Sequence, residues 1–254
     1  MIQVHIEPDK LKVGSAAAAL GGDAIRSAIA AQGHANIVLA TGVSQFEVLA
    51  ALVQRSDIDW SRVIAFHLDE YVGQPDSHKA SFRRYLNERF VSLLPKLGGF
   101  QPIGGDAADL TAELARLGTL ITQHPTDVMF AGIGENGHLA FNDPPADFAD
   151  AEAFRVVSLD ERCRRQQLGE GWFPTLDDVP REAVSMTVPQ IMKSKLVVLA
   201  VPDSRKAEAV RGTLEGPITP MVPASILQRH PACHLFLDPE SSALLQKATK
   251  AAGN

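Results

Sequence analysis

Short apolar runs alternate along the chain with longer segments whose apolar residues recur every three to four positions. Six runs have strand character: residues 36–40, 62–67, 127–132, 154–158, 196–201 and 232–237. Several are apolar on both faces, as strands buried inside a parallel sheet are. Six segments have helical spacing: residues 13–31, 44–54, 81–94, 107–123, 204–213 and 241–252. In the second of these Phe46, Leu49 and Leu52 fall near one face. Strand–helix alternation of this kind predicts an α/β fold, a three-layer sandwich around a mostly parallel, doubly wound sheet. No internal repeat or low-complexity linker interrupts it. Residues 1–254 therefore read as a single domain, with the proline- and glycine-rich stretches as loop punctuation.

Composition narrows the classes of function. The chain is 45% hydrophobic and 21% charged, an ordinary globular balance. Its formal net charge of −6 argues against a nucleic-acid partner, although a few local donors suffice to hold a phosphate. Cys163 and Cys233 lie in no metal-ligand spacing and read as reduced thiols, so neither a metal nor a cofactor is expected. The N-terminus has no basic-then-apolar leader, and no apolar run has the length of a membrane span. A cytoplasmic protein with no membrane partner is the expectation. The oligomeric state stays open, a homo-oligomer included.

Ligands of such sheets gather beyond the carboxyl ends of the strands. Three loops fall there: Thr41 to Ser44, Leu68 to Gly73, and the stretch AGIGENGHLAFNDPP from Ala131 to Pro145. The last contains Gly132, Gly134 and Gly137 at the spacing of a dinucleotide-binding loop. Such a loop must open a long helix whose N-terminus carries the pyrophosphate. Asn142-Asp143-Pro144-Pro145 cuts off any helix after about one turn. A reading from the side chains is better. The glycines let backbone approach a ligand, His138 reaches into a cleft, and Asp143 orients its imidazole. The structural alternative is a solvent-facing His in a loop of turn-formers. Asp69 and Glu70 are neighbours and point in opposite directions, so only one faces the cleft. Glu70 equally suits an ion pair or a helix-end contact. His67 reads as packed, and His78 as either a cap or a substrate contact.

Together LATGVSQFEVL, FHLDEYVGQPDSHKASF, GIGENGHLAFNDPP and TPMVPASILQRHP resemble the glucosamine-6-phosphate deaminase/isomerase family. Its sugar-phosphate-isomerase-like fold is shared with 6-phosphogluconolactonases. The likeness runs in order over nearly the whole chain. Tyr71 after the Asp-Glu pair, and Leu139 to Asn142 after His138, favour the deaminase branch.

The resemblance implies a phosphorylated amino sugar as substrate, most simply glucosamine 6-phosphate, converted to fructose 6-phosphate and ammonia without a metal. It makes Asp69 the base that moves a proton between C2 and C1, and His138 the group that assists ring opening. Thr41, Gly42 and Ser44 match the loop around the sugar phosphate, with Gly132 and Gly134 beside the ligand. Lys206 matches a phosphate-binding Lys. The family's phosphate-binding Arg finds no equivalent frame among Arg162, Arg164 and Arg165. Asn136 stands where the family commonly has an Asp, and Asp143 where it has a Glu. Glu135 is expected to point elsewhere. These departures keep two rivals open, a 6-phosphogluconolactonase-like hydrolase and a non-catalytic sugar-phosphate-binding protein.

Overall fold

The computed structural model describes residues 2–247 and 249. Strand β1 (Gln3–Ile6) leads into helix α1 (Lys10–Gln32), strand β2 (Ala35–Leu39) and helix α2 (Phe46–Leu52). Strands β3 (Val63–His67) and β4 (Asp69–Tyr71) precede α3 (Phe82–Arg89), β5 (Gly99–Gln101), α4 (Leu110–Gln123) and β6 (Val128–Ala131). Then come β7 (Phe154–Ser158), α5 (Glu161–Gly169), β8 (Glu182–Met186), α6 (Val188–Ile191), β9 (Leu196–Ala200), α7 (Ala207–Glu215) and β10 (Cys233–Leu237).

Seven strands form one sheet in the order β1-β10-β9-β6-β2-β3-β5, and every pairing in it is parallel. Side chains alternate across it, as the two-residue period of a strand requires. Ile37, Leu39, Val128 and Phe130 pack on the α1–α2–α3 side with Val13, Ile25, Leu49 and Leu86. Val38, Met129, Ala131 and Leu199 pack on the opposite side with Leu117 and Ile121 of α4 and Val210 of α7. Two helical layers thus sandwich a sheet that is apolar on both faces, the three-layer doubly wound arrangement expected. From β2 the chain winds outward through β3 to β5. It then returns to β6 on the other flank of β2 and winds the opposite way. The reversal lies between β2 and β6, and a crevice opens at the carboxyl ends of strands at such a reversal.

Three sequence expectations need correction. Residues 154–158 are a strand, but not of the main sheet. β7 pairs antiparallel with β8, and β8 with β4, in a separate three-stranded sheet. Its polar positions Arg155 and Ser158 are exposed, which a doubly covered strand does not tolerate. The helix expected over 81–94 stops at Arg89 because Phe90, wholly buried and edge-on to Trp60 at 5.5 Å, leaves helical geometry. Of the helix expected over 241–252, residues 241–244 are turns, with Ser241 and Ser242 tied to Asp238, while Lys247 and Thr249 are helical. Residues 248 and 250–252 lie outside the described residues. Among the described residues, no helix is long and apolar enough to cross a membrane.

Candidate active site

A cleft of about 470 Å³ lies at the reversal between β2 and β6. That volume suits a small phosphorylated metabolite. Thr41, Gly42 and Ser44 line it after β2, Asp69 after β3, Gly132, Gly134 and His138 after β6, and Lys206 before α7. Eight of the ten residues singled out from the sequence therefore meet on one cavity wall. Asn136 and Asp143 do not reach it, and stand behind His138.

The Thr41–Ser44 loop is held from two sides. Gly42 has φ 94°, ψ 170°, a conformation closed to residues with a side chain, and Tyr85 donates its hydroxyl hydrogen to the Gly42 carbonyl at 2.8 Å. The buried Gln45 amide donates to Ser44 Oγ at 3.1 Å and to the Ala131 carbonyl at 3.1 Å, fastening the loop to the end of β6.

Asp69 is the first residue of β4, paired with Ser185 of β8, and only 6% of its surface is exposed. Burial, and then the neighbouring Glu70, push its carboxyl up to about 8. Glu70 turns away from the cleft. Its oxygens accept from the Tyr71, Phe82 and Arg83 amides at 2.9, 3.1 and 2.8 Å and from the Ser81 hydroxyl at 2.9 Å. It is the helix-end contact allowed for it above and also an ion pair, with Arg83 Nε 3.5 Å from Oε2. His67 is packed as expected: burial lowers its imidazole to about 3. His78 is neither cap nor cleft residue. It sits in a turn and stacks on Phe173 at 5.8 Å, while Ser81 caps α3.

No helix follows the glycine loop before α5, so it is not built to carry a pyrophosphate. A Cβ at Gly134 would lie 2.2 Å from His138 Nε2, so the ring occupies the space that glycine leaves. His138 Nδ1 lies 3.0 Å from Asp143 Oδ1. Burial alone would raise the Asp143 carboxyl. Hydrogen bonds from His138, from Asn136 and from the Asp160 amide outweigh it and hold the group below its usual range. Asp143 is therefore an ionised acceptor, and Nδ1 carries the hydrogen. Nε2 is left as the ring's free nitrogen. Glu135 points elsewhere, with its carboxylate 3.5 Å from Arg205.

Lys206 is buried, and its ammonium has no hydrogen bond and no ion pair within 4 Å among the described residues. Desolvation lowers its pKa, against the pull of Glu170 and Glu135. A buried cation with this little compensation fits an anionic ligand.

Sequence reading missed the side of the cleft supplied by α5, where Gln166, Gln167 and Glu170 line it. Tyr71 donates to Gln167 Oε1 at 2.8 Å, and Gln166 Oε1 accepts from the Glu135 amide at 2.9 Å. None of the three arginines considered there reaches the cavity. Arg164 is buried against the Val179 and Leu176 carbonyls, Arg165 pairs with Glu161, and Arg162 is exposed. One group among the described residues offers three metal-ligating side chains within 4.8 Å: His138, Asp143 and Cys163. A metal there would have to break the Nδ1–Asp143 hydrogen bond and strip a thiol proton that burial holds well above its usual range.

Fold and cleft together define an α/β protein that takes a small anionic ligand at the carboxyl edge of a parallel sheet. Residues 8–235 match the model of the glucosamine-6-phosphate isomerase/6-phosphogluconolactonase family, and the chain belongs to that family. A glucosamine-6-phosphate deaminase of Oenococcus oeni is 38% identical over 216 residues, 85% of this chain and 89% of that protein. One from Streptococcus sanguinis is 38% identical with the same coverage. A solved monomeric glucosamine-6-phosphate deaminase superposes with a TM-score of 0.86 at 30% identity, covering 96% of this chain and 100% of its own. The 6-phosphogluconolactonase of Trypanosoma brucei superposes with a TM-score of 0.78 at 17% identity, covering 97% and 99%, a likeness of fold.

Proposed function

We propose that the chain is a glucosamine-6-phosphate deaminase, a single catalytic domain over residues 1–254 that converts glucosamine 6-phosphate and water to fructose 6-phosphate and ammonia. One observation carries this reading. A buried carboxyl, an imidazole locked by a carboxylate and an uncompensated ammonium share one cleft. The ammonium of Lys206 and the amides of the Thr41–Ser44 loop hold the phosphate, whose binding fixes the reacting carbons. The closed sugar ring opens when its anomeric hydroxyl loses a proton and its ring oxygen gains one. His138 Nε2 handles that traffic while Asp143 keeps the tautomer fixed. The aldehyde so formed acidifies the hydrogen on C2. Asp69 in its ionised form takes it and returns it to C1. As the C1 oxygen gains a proton and the C2 amine gives one up, an imine is left at C2; water adds to that carbon, ammonia leaves, and the C2 ketone remains. A carboxyl raised toward neutrality is a stronger base than an ordinary one, the usual adjustment for proton abstraction from carbon.

The test is release of ammonia and ketose from glucosamine 6-phosphate by the purified protein, with lactone hydrolysis measured in parallel. Stoichiometric ammonia and ketose support the deaminase. Lactone hydrolysis without ammonia transfers the chain to the hydrolase reading, and tight phosphosugar binding without turnover to the binding-protein reading.

A further inference from the structure

We propose that Asp160 is a positioning residue of the His138–Asp143 pair, acting through the neutral amide of Asn136. The proposal rests on the deaminase reading of the site.

Asn136 stands between two carboxylates. Its Nδ2 donates to Asp143 Oδ1 at 2.9 Å and to Asp160 Oδ2 at 3.1 Å, and its Oδ1 accepts from the His138 amide at 3.1 Å. Both amide hydrogens and the amide oxygen are used. The reversed amide would aim oxygen at two carboxylates, so the network itself fixes the orientation. Asp143 is equally filled: Oδ1 takes the imidazole at 3.0 Å and Oδ2 takes the Asp160 amide at 2.9 Å. Asp160 spends its other oxygen on the Cys163 amide, the N-cap of α5. Asp160 therefore grips the His138 pair twice, once by its backbone and once through Asn136.

Charge explains why an amide occupies position 136. The ionisable groups gathered at the pair are Asp143 from the turn of His138, Asp160 at the N-cap of α5 and Cys163 of α5, with Asp69 of β4 lining the same cleft as the ring. An Asp at 136 would bring three carboxylates to hydrogen-bond distance with no hydrogen between them, and they would have to capture a proton. The neutral amide instead gives Asp143 and Asp160 each a hydrogen to accept. The charge that position 136 lacks is carried one step out, at Asp160.

This arrangement predicts a reversal of sign between two backgrounds. In the parent, Asp160→Asn keeps an oxygen on the α5 cap, since Asn caps as well as Asp. Its amide hydrogens then face those of Asn136, donor against donor, and Asn136 loosens its hold on Asp143. We expect kcat to fall about tenfold or more, the cost of a small misplacement, with KM little changed. The acid limb of the pH–rate profile should move with it. In the Asn136→Asp background, Asp160→Asn does the opposite. It removes one of three charges and offers a donor to the new carboxylate, so kcat should rise above that of Asn136→Asp alone.

A residue that only caps α5 gives the same fall in both backgrounds, and that result overturns the proposal. Thermal melting of all three variants checks the fold. NMR titration of the His138 ring separates this idea from the activity assignment. A ring titration unchanged by Asp160→Asn rejects the positioning role. A shifted ring titration in a protein that makes no ammonia from any sugar phosphate keeps the positioning role and rejects the deaminase.

Discussion

Asp69 and Glu70 are consecutive acids on β4 with opposite employment. Asp69 faces the cleft and its carboxyl accepts no hydrogen bond among the described residues, while Glu70 is saturated by four donors, the Tyr71 amide on β4 and three groups at the start of α3. Alternation along a strand separates them, and the small antiparallel sheet fixes which of them faces inward.

Replacing Asp69 by Asn keeps the shape and removes the base. Turnover should fall by about 10²–10⁴-fold, the usual worth of a positioned general base, while the fold persists. Exchange of the C2 hydrogen with solvent should vanish with it. Near-parental exchange in Asp69→Asn would reject the assignment.

The raised Asp69 carboxyl also dictates the pH dependence. The base must be ionised, so kcat/KM should climb as pH passes through about 8. Stability moves the other way. A carboxyl whose folded pKa lies above its unfolded value binds more protons when folded. Stability is then lost as pH rises from the unfolded value of 3.8 to about 8, and is flat beyond. Asp69→Asn should therefore melt at higher temperature than the parent at pH 8 and near the parental temperature at pH 4. Equal shifts at both pH values would show that the buried charge is not the cause.

Much of this was legible in the sequence, for identifiable reasons. β2, β3, β6 and β9 are short runs with apolar residues on both faces, as strands buried in a parallel sheet are. Thr41 and Asp69 come two residues after β2 and β3, and His138 lies in the loop that follows β6, so strand-end logic gathered them. The α5 wall was illegible because Glu161 to Gly169 carries only Cys163 and Leu168 as apolar side chains, too few to mark a face. Its two glutamines give no chemical signal until the fold aims them. β4 and β8 are short strands of a second sheet, and the pairing that defines them spans more than a hundred residues. Asp160 caps α5 in the structure, and its second bond, to Asn136, is tertiary and has no signature in the sequence.

Glu70 should behave as a structural residue. Glu70→Gln turns one oxygen into a donor facing the Ser81 hydroxyl and the Arg83 amide, or the Tyr71 and Phe82 amides. Leaving such buried donors unmatched costs about 1–3 kcal/mol. Urea unfolding should show that loss. At temperatures where the variant is folded, kcat should change far less than in Asp69→Asn.

Lys206→Ala should raise KM for phosphorylated sugars by about tenfold or more, since a charge-assisted bond to phosphate contributes about 1.5–3 kcal/mol. Affinity for the unphosphorylated sugar should hardly change. Isothermal titration with both ligands decides it: an equal loss for the two sugars means that Lys206 shapes the cleft and does not bind phosphate.

Asp143→Asn tests the locked imidazole. In the parent, Asp143 can only accept, so it selects the Nδ1–H form of His138 and leaves Nε2 free for the sugar. An Asn at 143 has one oxygen for three donors, the imidazole and the Asn136 amide on one side and the Asp160 amide on the other. If the oxygen stays with Asp160, an amide hydrogen faces the ring, which then selects the opposite tautomer and places a hydrogen on Nε2. Ring opening should suffer most, because it needs Nε2 first to accept a proton and then to give it. Turnover of closed glucosamine 6-phosphate should fall about 10²-fold or more, within the range for a positioned acid–base group. Proton exchange at C2 of an open-chain analogue, which bypasses the His138 step, should fall much less. The comparison of the two rates in one variant is the measurement. Equal losses on both substrates would move His138 from ring opening to the Asp69 step, and no loss on either would leave Asp143 as a turn residue only.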